Sequence, residues 1–258
     1  MINRFYKQGQ KLDVAGLNEI TVLIDRSETE LTEIGWNCWT PNQDGPPHKH
    51  NDKSQIFYVT NGVGKIHLGK DVFDAKPGSL AYVPAGLVHQ TITTTEERLC
   101  YILFNVFLNP DKEGHSTFAD HIEKVKQIRK QQAVSGKVDT DNEKTNFEPG
   151  PGKFYKDLFS FIKKDTAHLK TTLMDAKANR IQMKLLSYPC GQSIRNIKDN
   201  SVEQTFFVLR GEALVTVEND TIENVNAGNI FFTPRDTAYD IKAGNEDMLC
   251  LCLSAFTD

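Results

Sequence analysis

Gly45-Pro46-Pro47-His48-Lys49-His50-Asn51-Asp52-Lys53-Ser54-Gln55, followed by the apolar run Ile56-Phe57-Tyr58-Val59 and then Gly62, is the stretch on which the reading of this chain turns. On an extended chain, residues two apart point to the same face, so His48 and His50 present two imidazoles side by side. Imidazole nitrogen is a borderline donor that suits several first-row divalent metals. Gln55 adds a neutral oxygen from the strand that follows. Downstream, Gly78 leads to Pro84-Ala85-Gly86 and His89. That turn is placed to bring a third imidazole back across a barrel. Four such donors leave positions open for water or substrate on a metal that takes five or six ligands.

Outward from this stretch, the chain contains a second copy of its surroundings. With Gly62 aligned on Gly211, Gln55 falls on Gln204, and each is followed by an apolar strand, Ile56-Phe57-Tyr58-Val59 and Thr205-Phe206-Phe207-Val208. Further on, Pro77-Gly78-Ser79-Leu80-Ala81-Tyr82-Val83-Pro84 aligns with Ala227-Gly228-Asn229-Ile230-Phe231-Phe232-Thr233-Pro234, and His89 with Tyr239. One β-barrel unit, duplicated, explains these offsets. Glu19 to Phe107 shows short apolar runs broken by Gly, Pro and Asn, the texture of an antiparallel sandwich or barrel. Strand texture resumes near Arg180 and runs to Phe256. Between the copies, Phe118, Ile122, Val125 and Ile128 recur at helical spacing within 115–133 and predict an amphipathic helix. Residues 135–152 read as a loop, and Phe154, Leu158, Phe161 and Ile162 suggest a second helix.

Composition sets outer limits. The chain has 258 residues, 39% hydrophobic and 25% charged, which suits packed cores. A net charge of −4 argues against a nucleic-acid partner. No apolar run is long enough for a transmembrane helix, and Met1 to Asp13 lacks the apolar stretch of a signal peptide. The five cysteines, Cys38, Cys100, Cys190, Cys250 and Cys252, include no CxxC and read as reduced thiols of a cytoplasmic protein.

The quoted motifs resemble those of the cupin superfamily: His48-x-His50, four residues, Gln55, six residues, Gly62; then Gly78, five residues, Pro84-x-Gly86, two residues, His89. Gly45 stands closer to His48 than the family pattern asks, Gln55 takes the place of a glutamate, and Thr93 that of an asparagine. With the repeat, the chain is similar to bicupins. The resemblance implies an all-β fold of two double-stranded β-helix (jelly-roll) barrels with a helical and loop insertion. The expected division is 1–110 for the N-terminal barrel, 111–170 for the connecting segment and 171–258 for a degenerate C-terminal barrel without metal. It implies one divalent metal per chain, zinc, iron, manganese or nickel, on His48, His50, Gln55 and His89.

Trp36 and Trp39 fall on opposite sides of one strand. Trp39, Phe57, Tyr82 and Phe104 are expected to line a substrate pocket; core packing is the competing reading for Trp39, and ordinary barrel filling suits Phe57, Tyr82 and Phe104 equally. His67, His115, His121 and His168 lack partners at ligand spacing and read as surface or helix residues. An all-neutral ligand set leaves the metal's charge undiminished and favours an anionic substrate oxygen. The reading is a Lewis-acid enzyme acting on a small sugar acid or keto acid by isomerisation, lyase chemistry or ring opening. A quercetinase-like dioxygenase using O2 and a non-catalytic small-molecule-binding cupin are the alternatives. The expected partner is a small molecule, with a homodimer implied by the resemblance. Asp44, Asp52, Glu96 and Glu97, the acidic residues near the motif, fall in loops, and none is placed as a buried base.

Overall fold

The computed structural model of the protein describes residues 1–135, 150–161, 170–218 and 221–257. These residues form antiparallel strands with one α-helix, in two compact units: Gly9–Phe159, and Met1–Gln8 with Ser160–Asp258. Each unit is a jelly roll of one large and one small sheet. In the first, the large sheet runs Lys153–Tyr155, Leu80–Val83, Lys53–Asn61, Leu99–Phe107, Thr32–Trp39, Asn18–Ile24, Gln10–Val14. Its small sheet runs Asp71–Ala75, Gly64–Leu68, His89–Thr93.

The second unit repeats this plan. Its large sheet runs Ile2–Phe5, Asn229–Thr233, Val202–Arg210, Met248–Phe256, Ile181–Tyr188, Lys170–Ala176. Its small sheet runs Ser193–Ile197, Tyr239–Ala243, Glu212–Val217, Thr221–Asn226. The register follows the sequence repeat: Gln55 sits opposite Val83 and Asn105, and Gln204 opposite Thr233 and Ser254. Gly62 and Gly211 hold φ of +73° and +78°, and a Cβ at either would meet a carbonyl oxygen at 2.2 or 2.3 Å, from Arg98 and Asp247. Both hairpins turn where only glycine fits.

Period-two burial places the cores. Ile66 and Leu68 point inward from one strand of the first unit, joining Val59, Ala81, Val83 and Leu103. Val215, Val225, Phe231 and Ile241 do the same in the second. The predicted helix is present as α1, Phe118–Ser135. Thr117 and Asp120 cap it reciprocally: the Thr117 hydroxyl accepts the Asp120 N–H and the Asp120 carboxylate accepts the Thr117 N–H, both at 3.1 Å. Its apolar stripe enters the first barrel's core through Phe118 and Ile122.

Three expectations differ from the structure. Phe154 lies in the strand Lys153–Tyr155, paired with Leu80–Val83, and Leu158–Phe161 is 3₁₀ rather than α-helical. The edge of the large sheet needed a strand, and backbone pairing there outweighed a short apolar spacing. The rest of that predicted helix, most of the 135–152 loop and His168 lie outside the described residues. Cys38 and Cys100 are not separate thiols. They sit directly opposite each other in register and form a disulfide, while Cys190, Cys250 and Cys252 are free. Met1–Gln8 contributes an edge strand to the second unit, pairing Ile2–Phe5 with Asn229–Thr233. Among the described residues, no helix is long and apolar enough to cross a membrane.

Candidate metal centre

His48 and His89 are brought together by backbone pairing. They form an isolated antiparallel bridge, exchanging both N–H···O=C bonds at 3.0 and 2.8 Å. The segment bearing His48 thus occupies the place that the strand Ser193–Ile197 takes in the second unit. His50, two residues on, shares the face of His48, and its carbonyl accepts the Gly86 N–H at 2.7 Å. Ring centroids stand 4.3 Å apart for His48–His89, 5.1 Å for His48–His50 and 5.6 Å for His50–His89. One nitrogen from each of the three lies within 4.8 Å of the others. Thr93, where the family pattern has asparagine, accepts the Gln43 N–H at 2.7 Å and donates to the Thr40 carbonyl at 2.9 Å. It anchors the start of the segment that carries His48.

Hydrogen bonding fixes which nitrogens face inward. Nδ1 of His48 lies 2.9 Å from the Pro46 carbonyl, and Nδ1 of His89 lies 3.1 Å from the Leu87 carbonyl. A carbonyl can only accept, so each Nδ1 carries the proton and each Nε2 keeps its lone pair. Nε2 of His89 is buried and has no hydrogen-bond partner. Burial holds the His48 pKa down to about 4, the Arg129 and Lys53 charges adding to it against a rise from the Pro46 carbonyl. Burial likewise lowers His50 and His89 well below the usual imidazole value. All three rings are neutral at pH 7, the form that ligates metal.

A buried polar chain orients Gln55. Arg26 pairs with Glu33 at 2.7 Å, both side chains fully buried. Asn105 Nδ2 donates to Glu33 at 2.8 Å, and Gln55 Nε2 donates to Asn105 Oδ1 at 2.9 Å. The direction of this chain is forced, because the Glu33 carboxylate only accepts. It leaves Gln55 Oε1 buried with no partner. The chain also explains why position 55 is glutamine: a glutamate there would set its oxygen against Asn105 Oδ1. An orphaned amide oxygen and an orphaned imidazole nitrogen, beside two more imidazoles, fit a divalent cation.

These groups open on a cavity of about 350 Å³ in the first barrel. Its walls include Trp39 and Phe57, as expected from sequence. Trp39 Nε1 donates to the Tyr101 hydroxyl at 2.8 Å, and Phe57 stacks on Tyr101 at 4.6 Å. Trp36 turns the other way, donating to Thr60. Tyr82 and Phe104 are not on the cavity wall. Both stand opposite Ile56 in register, while Gln55 and Phe57 face the cavity, so strand alternation sends them to the other side of the sheet.

Helix α1 forms one wall through Phe118, His121, Ile122, Val125, Ile128 and Arg129. His121 and Arg129 therefore belong to the site, and His121 is not an incidental helix residue. Their spacing of three and four from the apolar stripe was the available signal, since it puts them on the core-facing side. In the second barrel, the positions matching Gln55 and His89 bond to each other: the Tyr239 hydroxyl donates to Gln204 Oε1.

Two jelly-roll barrels, with three histidines gathered inside the first, give the chain the architecture of a two-barrel cupin. Residues 36–105 match the Cupin domain family. The chain is similar to oxalate decarboxylase of Lactobacillus farciminis in its formate complex, at 15% identity and a TM-score of 0.65, over 99% of this chain and 86% of that one. It is similar to a putative glyoxylate-induced protein of Pseudomonas aeruginosa, at 14% identity and a TM-score of 0.65, over 95% and 82%. Bacillus subtilis oxalate decarboxylase aligns at 14% identity with a TM-score of 0.64, over 100% and 76%. Identities this low speak for the fold alone. No curated protein matches the chain in sequence.

Proposed function

We propose that this chain is a metal-dependent cupin enzyme in which His48, His50, Gln55 and His89 hold one divalent cation and a small oxygenated acid is the substrate. The reading is carried by three imidazole donors within 4.8 Å of one another, lining one cavity with a buried, partnerless Gln55 oxygen. When bound, the ion supplies Lewis-acid polarisation of a substrate carbonyl or carboxylate oxygen, undiminished by protein charge because all four donors are neutral. Oxalate decarboxylase of B. subtilis, described with Mn(II) centres, and the formate complex of the L. farciminis enzyme support such a pairing in this fold.

The chain's own residues supply the rest. Trp39, Phe57, Leu103 and Ile122 give the cavity apolar walls. His121 is kept neutral, first by burial and then by the Lys53 and Arg26 charges. It lies close enough to His50 for a charge on either ring to be felt by the other. Its imidazole is the group placed to take up and return a proton, the general base that isomerase and lyase chemistry needs.

The test is elemental analysis joined to anaerobic assays on sugar acids and keto acids. One metal per chain, with turnover that survives removal of O2, supports the reading. Turnover that appears only as O2 is consumed favours a dioxygenase. Absence of metal after reconstitution removes the proposal altogether.

A further inference from the structure

The cavity carries an excess of positive charge before any metal is considered. Lys49, Lys53, Lys124 and Arg129 line it, and its carboxylate, Glu33, is already paired with the buried Arg26. These cations are not equivalent. Lys53 is answered by Asp52 at 3.7 Å and lies over the Phe107 ring, 5.0 Å from its centroid. Lys124 is exposed. Arg129 is half-buried, and among the described residues no carboxylate pairs with it. Its Nη1 meets only neutral oxygens, Asn18 Oδ1 at 3.2 Å and the Val14 carbonyl at 3.5 Å. Its guanidinium lies 5.9 Å from the Trp39 ring centroid, which steadies its plane.

A guanidinium has five N–H donors in a planar fork that matches a carboxylate bidentately. Two contacts to neutral acceptors leave most of that fork unused, and a charge withdrawn from water without a counter-ion is costly. Arg129 also stands near enough to His48 and Tyr101 for charge to act between them, so it shares their chamber. A volume of about 350 Å³ is at the small end of ligand sites, which run from about 300 to 1,000 Å³.

We propose that Arg129 is the carboxylate-binding end of this cavity: the substrate is a small organic acid whose carboxylate sits on the Arg129 fork while its reacting oxygens face His48, His50 and His89. The inference rests on the metal-site reading for the second half of that sentence only. Helix α1 is then part of the specificity apparatus, because it delivers the anion-binding group to a barrel that does not supply it from its own strands.

The test is calorimetric titration of the Mn(II)-reconstituted protein with acetate, pyruvate, malonate and succinate, each against its uncharged amide. Wild type, Arg129→Lys and Arg129→Gln are compared, with metal content measured on every sample. At least one acid should bind in preference to its amide. Its affinity should fall about tenfold or more in Arg129→Gln, the scale of a lost charge-assisted pair, and less in Arg129→Lys. Metal content should be unchanged in both variants, and the dependence on Arg129 should persist in metal-stripped protein. Equal affinity in wild type and Arg129→Gln overturns the proposal, as does failure of all four acids to outbind their amides. If wild type holds no metal but still binds an acid through Arg129, the metal reading falls and the carboxylate site stands. If it holds one metal and binding ignores Arg129, only the carboxylate site falls.

Discussion

His48 and His89 exchange both backbone hydrogen bonds across one antiparallel bridge, and their rings lie 4.3 Å apart. Directly opposed residues of such a pair point to the same face. Two of the three imidazoles are therefore set by main-chain geometry rather than by a flexible loop. His89→Ala should abolish metal retention after dialysis, and His50→Ala should lower it strongly. Tyr239→Phe, in the second barrel, should leave one metal per chain. Elemental analysis reads all three, and two metals per wild-type chain would contradict the picture.

The Glu33–Asn105–Gln55 chain predicts that the family's usual residue is unwelcome here. Gln55→Glu should lower the stability of the metal-free protein by about 1–3 kcal/mol, the cost of leaving a buried polar group wrongly faced. Asn105→Leu should weaken metal affinity by about 10–100-fold, as loss of a partner that orients a ligand does. Denaturant midpoints and competition with a chelator check the two. An unchanged midpoint for Gln55→Glu would show that the amides point otherwise.

Acid should destabilise the metal-free protein over a defined window. The His48 ring titrates near 6.5 when unfolded and at about 4 when folded. Between those values the unfolded chain binds more protons than the folded one, so lowering the pH favours unfolding. The contribution is fully present above about pH 6.5 and is lost as the pH falls towards 4. Denaturant midpoints from pH 7.5 to 4.5 should drop, and His48→Asn should flatten part of that drop. A midpoint that holds or rises on acidification would refute it.

The Cys38–Cys100 disulfide predicts a thiol count. Alkylation of the denatured, unreduced chain should label three cysteines, and prior reduction should raise this to five. Reduction should also cost about 2–5 kcal/mol of stability. Five labels without reductant would mean the pair is open in solution.

Packing at α1 offers a further check. Phe118 is buried and closes the first barrel beside Ile122. Phe118→Ala should destabilise by about 3–5 kcal/mol, read from the denaturant midpoint. A loss below about 1 kcal/mol would mean that the helix does not belong to this core.

Sequence alone carried the duplicated jelly roll and the identity of the gathered histidines. His48 and His50 share a face by strand alternation, the turn at Pro84-Ala85-Gly86 precedes His89, and Gln55 and Gln204 stand at matching offsets from Gly62 and Gly211. All of these are relations between residues close along the chain, where backbone periodicity dictates direction. The tertiary structure decided what depends on distant register. It chose Trp39 and Phe57 over Tyr82 and Phe104 as cavity walls, because facing parity is settled by strand pairing. It joined Cys38 to Cys100 across two strands and ran a hydrogen-bond chain from Arg26 through Glu33 and Asn105 to Gln55. It also laid α1 along the cavity, bringing His121 and Arg129 to a site that the local motif spells out with histidines alone. Contacts between residues far apart in sequence leave no local pattern, since packing and pairing select their partners only once the barrel has closed.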